Sequence, residues 1–200
     1  MAKSKRPDRK AETRPRNATE TRRRILEAAK VRFSRAGYDQ IGVRDIAADA
    51  GVDPALVARY FQSKEGLFEA VVAGAFTAAD LFTGPPKTWG EAVARHLMGR
   101  VEGSSWTTGF DPFQLLLRSA VSPVASAMVA HEFHTGFVGP LAARLGAPEA
   151  EIRAVLITAS IIGFALLRVA LQSPAVETAD PALVTKRLAA AIQQHIDGAN

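Results

Sequence analysis

The chain has 200 residues, 48% of them hydrophobic and 22% charged, the balance of a soluble globular protein with material for one large domain or two small ones. Cysteine is absent, which excludes disulfide staples, thiolate metal sites and cysteine nucleophiles and agrees with a reducing cytoplasm. The formal charge of +5 is uneven: residues 1–64 carry sixteen Lys and Arg against eight Asp and Glu, and residues 65–200 carry nine against twelve, so the first third suits a polyanion and the rest does not.

Residues 1–16, MAKSKRPDRKAETRPR, lack apolar periodicity and are expected to form a disordered basic arm. No apolar stretch follows Arg6, so no secretory signal is expected and the protein is placed in the cytoplasm. Asn17, with Glu20 three residues on, reads as the N-cap of a first helix in which Ile25, Ala29, Phe33 and Ala36 recur at helical spacing until Gly37 stops it. Two short helices fill 43–64, VRDIAADAGVDPALVARYFQSK, and a fourth is expected from Lys64 through Val71 and Val72 to Phe76. Later starts are marked by a capping side chain followed by proline at Asp53-Pro54, Asp111-Pro112, Ser122-Pro123 and Asp180-Pro181, and by Thr88 with Glu91. Gly84-Pro85-Pro86 and 102–110 read as loops. The run Ala154 to Leu167 spans fourteen residues between Arg153 and Arg168, against the roughly twenty that a membrane span needs; it is read as a buried helix, and no membrane is expected as a partner. With no sustained alternation and no repeat, the architecture is all-α with about nine helices: a three-helix domain over 17–64 and a larger helical domain over 65–200.

The stretch 43–64 carries the function. A helix-turn-helix needs a small residue facing the second helix, a glycine four residues later where the turn takes a positive φ, and apolar residues that lock the helices at a steep angle. Ala47 and Gly51 have that spacing; Ile46, Ala50, Val52, Val57 and Tyr60 hold the matching apolar positions, and Asp53 caps the second helix. The major groove admits such a helix, so Pro54 to Tyr60 is the expected reader of double-stranded DNA, Ala55 and Leu56 meeting thymine methyls and Arg59 a guanine or a phosphate.

These residues resemble the tetracycline-repressor (TetR) family. Gly37-Tyr38, Val43-Arg44-Asp45-Ile46-Ala47, Ala50-Gly51-Val52 and Tyr60-Phe61-Gln62-Ser63-Lys64-Glu65-Gly66-Leu67-Phe68 correspond to its glycine-aromatic, V-R-D-I-A, A-G-V and Y-F-x-S-K-E-x-L-F segments over about fifty residues. The resemblance implies a homodimeric transcriptional regulator, a repressor, on a palindromic operator. It implies that Arg44 reaches a base edge and that Tyr60 and Lys64 contact phosphate. The pair that the family usually makes Thr/Ser-rich is Ile41-Gly42 here, so that phosphate contact falls to backbone N–H groups at Gly42, and Ala58 stands where many members carry a tyrosine. Arg22, Arg23 and Arg24 read as a basic helix face, with none singled out.

A small, largely apolar effector is expected in a pocket formed by Trp89, Phe113, Phe133, Phe137 and Phe164, with Arg118 and His134 as its polar groups. His131-Glu132-Phe133-His134 is one residue short of the H-E-x-x-H zinc spacing, so no metal is expected, and no cofactor. The enzyme reading finds no nucleophile with its base, no paired carboxylates and no phosphate-binding glycine loop in the sequence. Control by a protein partner is the alternative to a small effector.

Overall fold

The structure, a computed structural model, describes residues 13–78, 81–99, 109–146 and 148–198; the arm ahead of Thr13, and Trp106 with most of the expected loop 102–110, lie outside the described residues. Helix α1 spans Thr13–Ala36. It starts ahead of Asn17, whose carbonyl accepts the Thr21 hydroxyl (2.7 Å) inside the helix instead of capping it. Pro15 falls in the first turn, where its missing amide has no intrahelical acceptor to lose, so nothing in that stretch stops the helix. Ile25, Ala29 and Phe33 form the buried stripe of α1.

Helices α2 (Val43–Ala50), α3 (Pro54–Phe61) and α4 (Lys64–Val72) follow, each short and each packed on α1. Phe33, Tyr38 and Phe68 meet edge-on and stacked at centroid distances of 5.0 to 5.9 Å, tying α1, the turn after it and α4 together. Helix α4 ends at Val72, so Phe76 lies beyond it and not on the long rod that the apolar spacing predicts; Gly74 takes a positive φ of 69°, which turns the chain away.

The rest of the body comprises α5 (Trp89–Gly99, entered by a 3-10 turn at Pro86–Thr88), α6 (Pro112–Ser119), α7 (Ala125–Phe133), α8 (Gly139–Leu145), α9 (Ala150–Ala165), the single turn α10 (Pro174–Glu177) and α11 (Pro181–Asp197). A π-helical segment, His134–Val138, makes α7 and α8 one continuous rod, and another, Leu166–Ala170, extends α9. The described residues contain no strand. Asp53, Asp111 and Asp180 accept the amides of Ala55, Phe113 and Ala182 at 2.8 to 3.0 Å, the capping foreseen for those Asp-Pro pairs. Ser122 accepts the Ala125 amide at 3.1 Å.

Three arginines lock the body through carbonyls. Arg153 donates to His195, Pro148 and Ile196 and so caps α11; Arg144 donates to the Phe82 carbonyl from above the Trp89 ring; Arg168 donates to Leu97 at the end of α5. Helices α5 and α11 cross at Gly90, where a Cβ would stand 2.5 Å from the Ala189 carbonyl oxygen. Gly90→Ala is therefore expected to lower the unfolding free energy by about 1–3 kcal/mol, the usual cost of overpacking, measured by urea titration; an unchanged midpoint would show that the crossing yields.

Candidate nucleic-acid interface

The helix-turn-helix is set by burial on one side and by backbone conformation at its turn. Ile46, Ala47 and Val57 are buried, and Val52 is half-buried against them. Gly51 takes φ 60° and ψ 44°, the left-handed conformation that a side chain disfavours, and the amides of Gly51 and Val52 return to the carbonyls of Ala48 and Ala47 at 3.0 Å. Helix α3 ends in a γ-turn: Gln62 has φ 68° and ψ −49°, and the Ser63 amide donates to the Phe61 carbonyl at 2.8 Å. Ser63 then caps α4, accepting the Gly66 amide at 3.0 Å.

This frame exposes Arg44 in the first turn of α2, and Ala55, Ala58 and Arg59 on α3. Leu56 and Tyr60 are half-buried and pack on the core, so each presents only part of its side chain outward. Ala58 shares the exposed face of α3 with Ala55 and Arg59 at three- and four-residue spacing, although the family resemblance marks that position only by its missing tyrosine. The Gly42 amide is engaged by the Asp45 carboxylate at 2.9 Å. An anion at the start of α2 would therefore meet the amides of Val43 and Arg44, which no intrahelical carbonyl serves. Lys64 sits half-buried with Nζ 4.1 Å from the Tyr38 ring centroid.

The α1 arginines have individual protein partners. Arg22 stacks over Phe61 at 4.9 Å, Arg23 pairs with Glu20, and Arg24 donates to the Ala50 carbonyl and to that of Gly51 at 3.3 Å. Arg32 forks onto both carboxylate oxygens of Asp49, and this hydrogen bonding holds the Asp49 carboxyl below the usual range, so the α1–α2 clamp persists at neutral pH and is lost on acidification. Apart from the Arg23–Glu20 pair, sequence spacing gives no sign of these partners, because they bring together residues 17 to 39 positions apart.

A cavity of about 330 Å³ opens in the body between Phe76, Leu81, His96, Phe113, Leu116, Phe133, Phe137 and Ile161. Phe133 and Phe137 stack at 5.4 Å, and Phe76 meets Phe133 edge-on at 5.3 Å. Phe76 is admitted because Gly136 lets the rod approach its backbone: a Cβ there would stand 2.3 Å from the Phe76 carbonyl oxygen. Of the residues expected to form a pocket, the structure gathers Phe113, Phe133 and Phe137 here. Trp89 lies in the core with its indole N–H donating to Gly84 (3.0 Å); Arg118 and His134 are exposed, Phe164 packs half-buried on the core, and none of the four lines this cavity.

Two family models match the chain. "Bacterial regulatory proteins, tetR family" covers residues 25–71, and "Tetracyclin repressor-like, C-terminal domain" covers residues 87–196. The HTH-type transcriptional regulatory protein RaaS of Mycobacterium tuberculosis is 44% identical over 72 residues, 33% of this chain and 34% of that protein, so the chain matches about a third of this relative's length. Among solved structures, a TetR-family regulator from Streptomyces coelicolor A3 is 26% identical, with a TM-score of 0.56 over 98% of this chain and 99% of its own. NalD of Pseudomonas aeruginosa, described as the secondary repressor of the MexAB-OprM multidrug efflux pump, shares the fold at 18% identity, with a TM-score of 0.62 over 90% of this chain and 97% of its own.

Removing the Arg24 guanidinium should loosen the turn that aims α3. Arg24→Ala is expected to lower the unfolding free energy by about 1 kcal/mol, the net worth of a typical hydrogen bond, in a urea titration; full retention of stability would mean that the Ala50 carbonyl finds water at no cost.

Proposed function

The chain belongs to the TetR family of bacterial regulatory proteins and is a DNA-binding transcriptional regulator, and we propose that it acts in the cytoplasm as a dimeric repressor released from a palindromic operator by a small apolar effector. The observation that carries the DNA part is the exposure of Arg44 on α2 and of Ala55, Ala58 and Arg59 on α3 beside a buried helix-turn-helix core. Arg44 and Arg59 supply hydrogen-bond donors for guanine edges or phosphates, Ala55 and Ala58 a surface for thymine methyls with Leu56 at its margin, and Tyr60 and Lys64 the phosphate contacts. The DNA-binding head is residues 17–64, with α4 leading from it into the body at 65–200. A selection on randomised DNA tests this. Arg44→Ala should lose preference at one position in each half-site, a loss of about 1–3 kcal/mol of discrimination, whereas Lys64→Ala should weaken all sequences alike; identical motifs for wild type and Arg44→Ala would remove Arg44 from the reading face.

The dimer reading rests on α9. Ile152, Val155, Leu156 and Leu167 are 52, 46, 40 and 48% exposed along one face of it, and Leu183 is 49% exposed on the neighbouring α11. A second copy supplies the same apolar stripe about a two-fold axis, which gives two reading heads for the two halves of a palindrome. Val155→Glu is expected to yield a monomer in sedimentation while leaving helicity intact, because Val155 contributes little to its own subunit's core; a dimer of wild-type affinity would move the interface elsewhere.

The effector reading rests on the aromatic cavity, whose volume and apolar walls suit a small, largely apolar compound. NalD's description as a repressor of an efflux pump supports repression by analogy of fold. Such a compound must bind the DNA-incompetent arrangement more tightly, since equal affinity for both shifts nothing.

A further inference from the structure

Lys64 and Glu65 open α4 side by side, one cation and one anion at the helix end proposed to meet a DNA phosphate. Neighbours in a helix do not face each other, so each side chain takes its own partner, and a carboxylate in that turn adds an anion where a phosphate would bind. Here Tyr38 is a partner of both. The Lys64 ammonium lies over the face of the Tyr38 ring, 4.1 Å from its centroid, and the Tyr38 hydroxyl donates to Glu65 Oε1 at 2.7 Å. Among the described residues no Lys64–Glu65 ion pair forms. The ring itself cannot wander, because it is buried between Phe33 and Phe68. The hydroxyl's hydrogen bond is the first cause that holds the Glu65 carboxyl below its ordinary range, ahead of bonds to the Glu65 backbone and to Ser63, and burial followed by the same hydroxyl bond pushes the Tyr38 phenol above its own, so both groups keep these charge states throughout the neutral range.

We propose that Tyr38 is a positioning residue for DNA binding, its ring seating the Lys64 ammonium and its hydroxyl tying down the Glu65 carboxylate, so that α4 presents its cation to a phosphate while its anion is held in place. The inference rests on the reading of Lys64 as a phosphate contact. Tyr38 touches no DNA in this arrangement; it acts through its two neighbours, and the carboxylate is the part of the device that harms binding when released.

The test is equilibrium binding of the full chain to a mixed-sequence DNA duplex over a range of salt concentrations, with wild type, Lys64→Ala, Tyr38→Phe and the double variant Tyr38→Phe/Glu65→Gln. Tyr38→Phe keeps the ring and removes the hydroxyl's bond to the carboxylate; it should weaken binding about three- to tenfold and flatten the salt slope by up to about 0.9, the contribution of one phosphate contact. Adding Glu65→Gln should restore both quantities, since the released side chain then carries no charge. A packing defect would not respond to that second change, so a weakened Tyr38→Phe that Glu65→Gln fails to restore overturns the proposal. Tyr38→Phe binding like wild type while Lys64→Ala binds weakly overturns the positioning role alone. Lys64→Ala binding like wild type overturns the phosphate contact and the positioning role with it.

Discussion

The stripe of Ile25, Ala29 and Phe33 along α1 is the surface on which the other helices of the head, and α4 leading out of it, are assembled. Each of α2, α3 and α4 is only eight or nine residues long, too short to hold together in water by its own hydrogen bonds. They persist because each places apolar side chains on that stripe: Ile46, Ala47 and Ala50 from α2, Val57 and Phe61 from α3, Leu67, Phe68 and Val71 from α4. The polar links from α1 then fix what burial leaves free. Burial is non-directional and would tolerate a sliding α2, whereas the Arg32–Asp49 fork and the Arg24 bonds to the α2 C-terminus admit one register. Basic residues that composition assigns to a polyanion therefore serve partly to aim the helix that reads it.

The same helix connects the head to the body. Helix α6 packs along α1, with the Arg118 backbone over Gly37, and turns Phe113 and Leu116 toward the cavity. Helix α4 meets α7, whose rod carries Phe133 and Phe137 into the same cavity. Two lines of packed side chains thus run from cavity to head, one through α6 and α1 and one through α7 and α4. A single long α4 touching both ends is not available, since the chain turns at Gly74. On the proposed reading, an effector that shifts the aromatic stack acts on the orientation of the whole head, because α1 and α4 are bound to each other through Phe33, Tyr38 and Phe68. Reciprocity then requires that DNA weaken the effector by the factor by which the effector weakens DNA.

What could be read in the sequence was local. The Ala47–Gly51 spacing and the capping aspartates at 53, 111 and 180 act within a few residues of themselves, and the structure uses each as its chemistry dictates. Helix α1 begins ahead of the cap that Asn17 offers because Pro15 suits a first helical turn, so the chain runs on through Asn17 at the modest cost of an interior asparagine. The cavity was only partly legible for the opposite reason: its walls come from the segment after α4 and from α5, α6, the α7–α8 rod and α9, and nothing local distinguishes Phe113, which lines it, from Trp89, which does not. Leu56 shows the same limit at the reading face, where the helix-turn-helix motif sets it toward thymine methyls and packing turns it half inward.

Helix α9 with its extension, Ala150–Ala170, is long and apolar enough by composition to cross a membrane, although the uninterrupted apolar run inside it is shorter. Its two faces argue for another use. Ala154, Ile157, Thr158, Ile161 and Ala165 are buried against the body, while Ile152, Val155, Leu156 and Leu167 point away from it, so the helix is neither the wholly buried core element that its hydropathy suggested nor a rod ready to be surrounded by lipid. Arg153 and Arg168, the charges bounding the apolar run, donate to carbonyls on α11 and α5. Extracting α9 into a bilayer would strand both guanidinium groups and uncap two helices, a cost that its bare face cannot repay. Covering that face with an equally apolar helix leaves every one of those bonds in place, and on the proposed reading a second copy of the chain brings such a helix.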